Sequence, residues 1–288
     1  MENFKNVLID ENSLTVFIDI ITICQQHCWY CYARPESTGR KNWNKILPFT
    51  KIRKILDALS YSKYEINLCL YGGEPTLHKD LNTILEYSDK INSIKKIEIF
   101  TNGLRDLSKV YRSDKISYTL SFHPSQTKGE KLIQNALFLK ANDISFTISC
   151  LYDGEHQYFY DCINVIKENN LSEYIKLGIV DSHRKDRPLT VKVPDTELFK
   201  SINEKVYLYN NELYTLDEIR ERNLNNFHGW KCCKSLIKIS VEGVIFISGG
   251  DYNHISLEQL KHFEKPIDVC NGFCCADENN LIFNRKFK

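Results

Sequence analysis

The chain has 288 residues, of which 42% are hydrophobic and 26% charged, values that suit one large globular domain or a domain with an appendage. Its 38 Lys and Arg against 37 Asp and Glu leave a formal charge of +1, so the overall balance gives no nucleic-acid or membrane footprint. No apolar run approaches a membrane span and the first residues are too polar for a signal peptide, which makes the cytoplasm the expected location.

From Leu14 onward, β-rich runs alternate with amphipathic stretches. Strands are expected at 14–20 (LTVFIDI), 65–71 (EINLCLY), 96–100 (KIEIF), 116–120 (ISYTL), 144–150 (ISFTISC) and 174–180 (YIKLGIV). Between them, apolar residues recur at helical spacing: Ile52, Ile55, Leu56 and Leu59, then Leu81, Ile84 and Leu85. Leu132, Ala136 and Leu137 repeat the pattern, as do Phe159, Ile163 and Ile166. Six successive β–α units imply parallel strands joined by right-handed helical crossovers. A full barrel would need two more units than the sequence supplies, so the expected fold is α/β, a partial (βα)6 parallel barrel.

After about Arg187 the rhythm changes. Hairpins are expected at 205–216, around Asn210-Asn211, and at 235–248, around Glu242-Gly243. Helices are expected at 216–225 and 256–263, and the tail 266–280 reads as loop. The division that follows is a barrel domain over 1–190 and a small α+β, cysteine-containing extension over 191–288.

Disulfides are rare in reducing cytosol, where clustered thiols point to metal binding or catalysis. The 11 cysteines are clustered: Cys24, Cys28 and Cys31 near the start, then Cys232, Cys233, Cys270, Cys274 and Cys275 near the end. Cys69, Cys150 and Cys162 stand alone in apolar surroundings and read as buried, inert thiols.

Parallel α/β folds collect their reactive groups at the carboxyl ends of the strands. Here the first strand runs into ICQQHCWYC, the second into YGGEPT, the third into TNG and the fourth into SFHPS. Three thiolates can hold an iron–sulfur cluster with one iron left open, or zinc with His27 or a distant residue as fourth ligand. Two glycines in GGEP either let the backbone approach a ligand closely, with Glu74 offering a carboxylate, or serve a plain strand-to-helix turn.

Taken together, CxxxCxΦC spacing with Tyr30 before the last cysteine, GGEP at the second strand and TNG at the third resemble the radical S-adenosylmethionine superfamily over roughly residues 12–185. The resemblance implies a [4Fe–4S] cluster on Cys24, Cys28 and Cys31, with S-adenosylmethionine chelating the open iron. It implies that Tyr30 lies near the adenine, that Gly72, Gly73 and Glu74 meet the methionyl ammonium, and that Asn102 lies close to the cofactor. Ser121 takes the position where family members contact ribose or carboxylate. The chain departs from many peptide-modifying relatives at His123, where an Asp is usual, and an imidazole there can still hydrogen-bond a ribose hydroxyl. The basic run 183–187 (HRKDR) either supplies an arginine to the cofactor carboxylate or is a solvated loop.

The implied reaction is reductive cleavage of S-adenosylmethionine to a 5′-deoxyadenosyl radical that removes a hydrogen atom from a substrate, with flavodoxin or ferredoxin as reductant. The C-terminal cysteines resemble a twitch or SPASM extension, which implies a second [4Fe–4S] cluster; the cysteine usually found beyond the hairpin glycine is replaced by Ser248. Five thiols remain for four ligand places, and a spare thiol could return a hydrogen atom to a substrate radical. Such extensions point to a peptide or protein substrate. A small metabolite (a sugar, nucleoside or cofactor precursor) is the second reading, and a non-catalytic iron–sulfur or zinc protein the third. The neutral charge disfavours nucleic acid.

Overall fold

The computed structural model describes residues 12–31, 44–152, 156–179, 207–209, 212–214, 231–233, 236–247, 253–265 and 267–269. Six strands run in sequence: β1 Ser13–Ile21, β2 Glu65–Gly72, β3 Ile94–Thr101, β4 Ile116–Phe122, β5 Phe146–Tyr152 and β6 Ile175–Ile179. Each pairs in parallel with the next, and the expected six strands are all present, with ends shifted by no more than two residues. The helices α1 Phe49–Leu59, α2 Leu81–Asp89, α3 Glu130–Ala141 and α4 His156–Glu168 carry the crossovers. This is the mixed α/β, parallel-strand architecture of a partial barrel.

The alternation that fixed the strands also fixes their faces. In β4 and β5 every second residue is buried and the residues between are only partly so. The buried set, with Val16, Ile18, Leu68, Leu70, Ile97 and Ile99 of β1–β3, forms one core with Ile52, Leu56, Ile84, Leu85, Leu132 and Ile163 of the helices. Cys150 and Cys162 are buried in that core, and Cys69 is buried on β2, as expected for inert thiols.

The C-terminal part adds strands to the same sheet. Strands β10 Leu236–Ile239, β11 Ile245–Ile247 and β12 Asn253–Ile255 extend it beyond β1, giving the order β12-β11-β10-β1-β2-β3-β4-β5-β6. β10 lies parallel to β1, with Phe17 opposite Lys238, and its antiparallel partner β11 completes the expected hairpin around Gly243. A short helix, α5 Leu257–Lys261, begins with a reciprocal cap between Ser256 and Gln259. The hairpin expected at 205–216 is present as β7 Tyr207–Tyr209 paired with β8 Glu212–Tyr214.

One expectation is corrected. The tail 266–280 was expected to be loop, but β13 Ile267–Val269 pairs antiparallel with β9 Lys231–Cys233. Ile267 and Val269 can contribute β-prone side chains, and the turn-forming residues that dominate the rest of the tail masked them. The helix expected at 216–225 lies outside the described residues, as do Cys270, Cys274, Cys275 and the basic run 183–187. Among the described residues, no helix is long and apolar enough to cross a membrane.

Candidate functional site

The first four strands end beside one another, and their following loops are tied together by hydrogen bonds. β1 leaves the sheet at Ile21, and the chain passes through Thr22 and Ile23 to Cys24. The end of β2 packs directly on that segment: the N–H of Gly73 donates to the Ile21 carbonyl at 2.6 Å and the N–H of Glu74 to the Ile23 carbonyl at 2.8 Å. A Cβ on Gly73 would lie 2.4 Å from the Ile23 oxygen and 2.5 Å from that of Thr22. A Cβ on Gly72, which holds φ at +137°, would lie 2.1 Å from the Ile21 oxygen. The close approach that glycine permits here is therefore between two chain segments, and it sets the path into the first cysteine.

Glu74 is the centre of the next tie. Its carboxylate is fully buried, at 0% exposure. Oε1 accepts from Thr76 N at 3.0 Å, Thr76 Oγ1 at 2.6 Å and Thr101 Oγ1 at 2.7 Å, and Oε2 accepts from Asn102 N at 2.7 Å. Burial raises its pKa above the ordinary carboxylate value, and these donors pull in the opposite direction. Glu74 thus holds the third-strand loop, TNG, against the second-strand loop.

Asn102 carries the connection on to the cysteines. Its side-chain nitrogen donates to Cys24 Sγ at 3.7 Å, and its oxygen accepts from Gln25 Nε2 at 3.3 Å. The Gln26 N–H also donates to Cys24 Sγ, at 3.4 Å. Burial, with the nearby Glu74 and Cys31, raises the Cys24 pKa, so a bare thiolate is disfavoured there while two N–H donors already aim at the sulfur. A sulfur prepared for negative charge but short of a cation fits an iron–sulfur ligand, whose anionic sulfur such donors also tune. Cys28 is buried and Cys31 partly exposed, and the Cys31 N–H closes a turn on the Cys28 carbonyl at 3.2 Å. Among the described residues no three His, Cys, Asp or Glu side chains gather around a point for a single metal ion.

The fourth-strand loop clasps the other side of the cysteine loop. Tyr30 Oη is 2.8 Å from His123 Nδ1, and the His27 N–H donates to Gln126 Oε1 at 2.8 Å. Tyr30 and His123, 93 positions apart, are brought together; Ser121 stands partly buried on β4 just before that loop. Sequence reasoning missed two positioning residues. Gln126 is one. Asn135 of α3 is the other: 2% exposed, it accepts from Leu107 N at 3.1 Å and donates to the Gly103 and Arg105 carbonyls at 2.8 and 2.6 Å, pinning the loop after TNG. An asparagine at a core-facing helical position was the available signal.

At the other end of the chain, Cys232 and Cys233 lie on β9, opposite Asp268 and Ile267 of β13. The side chains of these residues are outside the described set.

Comparison with known proteins agrees with this layout. Residues 18–122 match the family model of the Radical SAM superfamily. GTP 3′,8-cyclase of Clostridium botulinum (strain Okra / Type B1) is 31% identical over 100 residues, 34% of this chain and 30% of the relative. The enzyme of the same name from Klebsiella pneumoniae subsp. pneumoniae is 31% identical over 88 residues, 31% of this chain and 26% of the relative. The chain thus spans under a third of the length of the curated relatives it matches. Among solved structures, anSMEcpe with bound AdoMet superposes with a TM-score of 0.61 at 16% identity, over 87% of this chain and 81% of that one. Streptococcus suis SuiB bound to S-adenosylmethionine superposes with a TM-score of 0.60 at 15% identity, over 86% of this chain and 64% of that one. These likenesses carry the fold, and the family match covers only residues 18–122. From before the cysteine loop to the end of β4, this chain is similar to the Radical SAM superfamily.

Proposed function

We propose that the chain is a radical S-adenosylmethionine enzyme acting on a peptide or protein. Cys24, Cys28 and Cys31 would hold a [4Fe–4S] cluster, with Tyr30, Gly72, Gly73, Glu74, Asn102, Ser121 and His123 around the S-adenosylmethionine. The observation that supports this most is the double clasp on the cysteine loop: Asn102 donates to Cys24 Sγ on one side and His123 meets Tyr30 Oη on the other. When bound, the two cofactors supply a 5′-deoxyadenosyl radical able to take a hydrogen atom from an unactivated carbon.

The chain's own residues have a narrower task. Glu74 and Asn102 tie down the loop that would carry the first ligand, Cys24. His123 holds the aromatic residue that precedes the last ligand, and Gln126 holds the backbone of the same loop at His27. The barrel's inner face then has to orient the substrate and exclude water and stray hydrogen donors. A small one-electron donor of the flavodoxin or ferredoxin type would serve as reductant.

The peptide reading draws on fold neighbours: SuiB is also solved bound to its precursor peptide SuiA, with a TM-score of 0.52 to this chain. A small-metabolite substrate is the second reading, favoured by the sequence match to GTP 3′,8-cyclase. We also propose a second cluster held by four of Cys232, Cys233, Cys270, Cys274 and Cys275. The β9–β13 pairing supports it, because one strand carries Cys232 and Cys233 and the other ends immediately before Cys270.

The test is anaerobic reconstitution with iron and sulfide, reduction, and chromatographic assay for 5′-deoxyadenosine. Formation of 5′-deoxyadenosine from S-adenosylmethionine is expected; a reconstituted, reduced cluster that leaves S-adenosylmethionine intact would refute the proposal.

A further inference from the structure

The sheet face opposite the helices is neither fully buried nor simply polar. On β3 it presents Glu98 and Phe100, both partly buried. The strand ladders set Glu98 between Cys69 of β2 and Ser117 of β4. Beside Glu98 stands an aromatic wall: Phe100, two residues on along β3, and Phe17, in Glu98's row on β1, have ring centroids 6.0 Å apart, and Tyr71 meets Phe17 edge-on at 5.5 Å.

Glu98 itself is incompletely matched. Its Oε1 accepts from Thr119 Oγ1 at 2.6 Å, and Thr147 Oγ1 lies 3.2 Å from Thr119 Oγ1. Thr119 has one hydroxyl proton and gives it to Glu98, so Thr147 is the donor in the second bond. Among the described residues no Lys, Arg or His pairs with this carboxylate, and its Oε2 meets no donor. Lys96, two residues earlier on the strand, is exposed and forms no ion pair with it. Lys238 of β10 shares its row through Phe17 and Cys69, three strand spacings away. Cys69 adds no second anion, because burial and the charge of Glu98 keep its thiol protonated.

A carboxylate held on a half-dry wall without a counter-ion among the described residues costs free energy, which an arriving cation offsets. An ammonium group gains most there: a charge-assisted bond to Glu98 and the π faces of the neighbouring rings. We propose that Glu98 is the specificity residue of the inner face, that it receives an ammonium group of the substrate, and that the bound molecule is an amine-bearing peptide. This inference rests on the peptide reading of the same site.

The experiment titrates reconstituted, full-length protein with S-adenosylmethionine present, by calorimetry, using two probes. These are the blocked tripeptide Ac-Ala-Lys-Ala-NH2 and its norleucine counterpart, which replaces the ammonium by a methyl group. The lysine probe should bind about tenfold more tightly, the worth of one charge-assisted hydrogen bond. Glu98→Gln, nearly isosteric, should bring the two affinities together. Equal affinities in the wild type, binding of neither probe, or a preference that survives Glu98→Gln would each overturn the proposal. The wild-type pair decides the matter even if the variant fails to fold. Formation of 5′-deoxyadenosine by the same wild-type samples is recorded separately. Turnover without amine preference sinks only the role of Glu98, whereas amine preference without turnover sinks only the enzymatic reading.

Discussion

The two faces of the sheet are made from alternate residues of the same strands, yet they are built on different terms. The helix-covered face of β4 is Ile116, Tyr118, Leu120 and Phe122, all at 5% exposure or less. Its neighbours on the other face, Ser117, Thr119 and Ser121, are polar and only partly buried. The first face is closed by packing and tolerates no gap. The second leaves hydrogen-bonding capacity unspent, which stability alone does not ask for and a ligand would use. The rim loops are a third case, polar like the inner face but tied to one another by hydrogen bonds, as Glu74 shows.

That contrast can be broken by substitution. The largest loss of stability belongs to the helix-covered face: Ile84→Ala, at a fully buried position, should cost about 3–4 kcal/mol in urea unfolding. Iron bound per folded molecule should not change. At the rim, Glu74→Gln sets an amide N–H against the N–H of Asn102, costing about 2 kcal/mol. Unlike the core change, it should also lower the iron retained after reconstitution, because Asn102 bonds Cys24. Equal iron in both variants would erase the distinction between rim and core.

A pH series sharpens the same comparison. Burial raises the Tyr118 pKa to about 12. A raised acid pKa means that the folded state keeps a proton which the unfolded chain releases, so the contribution is complete below about pH 10 and is lost as pH climbs toward 12. Across that window the wild type should lose about 2 kcal/mol that Tyr118→Phe does not lose, read from urea midpoints at each pH. The smallest effect is expected at the clasp. Tyr30→Phe removes the bond to His123 and should cost about 1 kcal/mol, with a change in the cluster's electron paramagnetic resonance spectrum as the second readout.

Much of this was legible beforehand because it is local. Apolar alternation gave all six parallel strands, and the motifs at their ends gave the loops that meet. What could not be read was reach across the sequence. Tyr30 and His123 were each chosen as site residues, but their contact spans 93 positions and no spacing rule encodes it. The glycines of GGEP read either as room for a ligand or as a plain turn; that a Cβ there would meet the carbonyls of Ile21, Thr22 and Ile23 follows only from the β1–β2 pairing. Asn135 finds its partners only in the loop after TNG, some 30 positions earlier, which helical spacing alone does not reveal. The strand Ile267–Val269 was hidden for the opposite reason, being too short to show a period.

The central claim is that the loop of Cys24, Cys28 and Cys31 carries the cluster at which S-adenosylmethionine is cleaved. It is tested most directly by comparing reduced, reconstituted wild type with the variant in which all three cysteines are replaced by alanine. The account predicts that the variant binds about four fewer iron atoms per chain and forms no 5′-deoxyadenosine, while the wild type forms it. Undiminished 5′-deoxyadenosine from the triple variant would contradict the account.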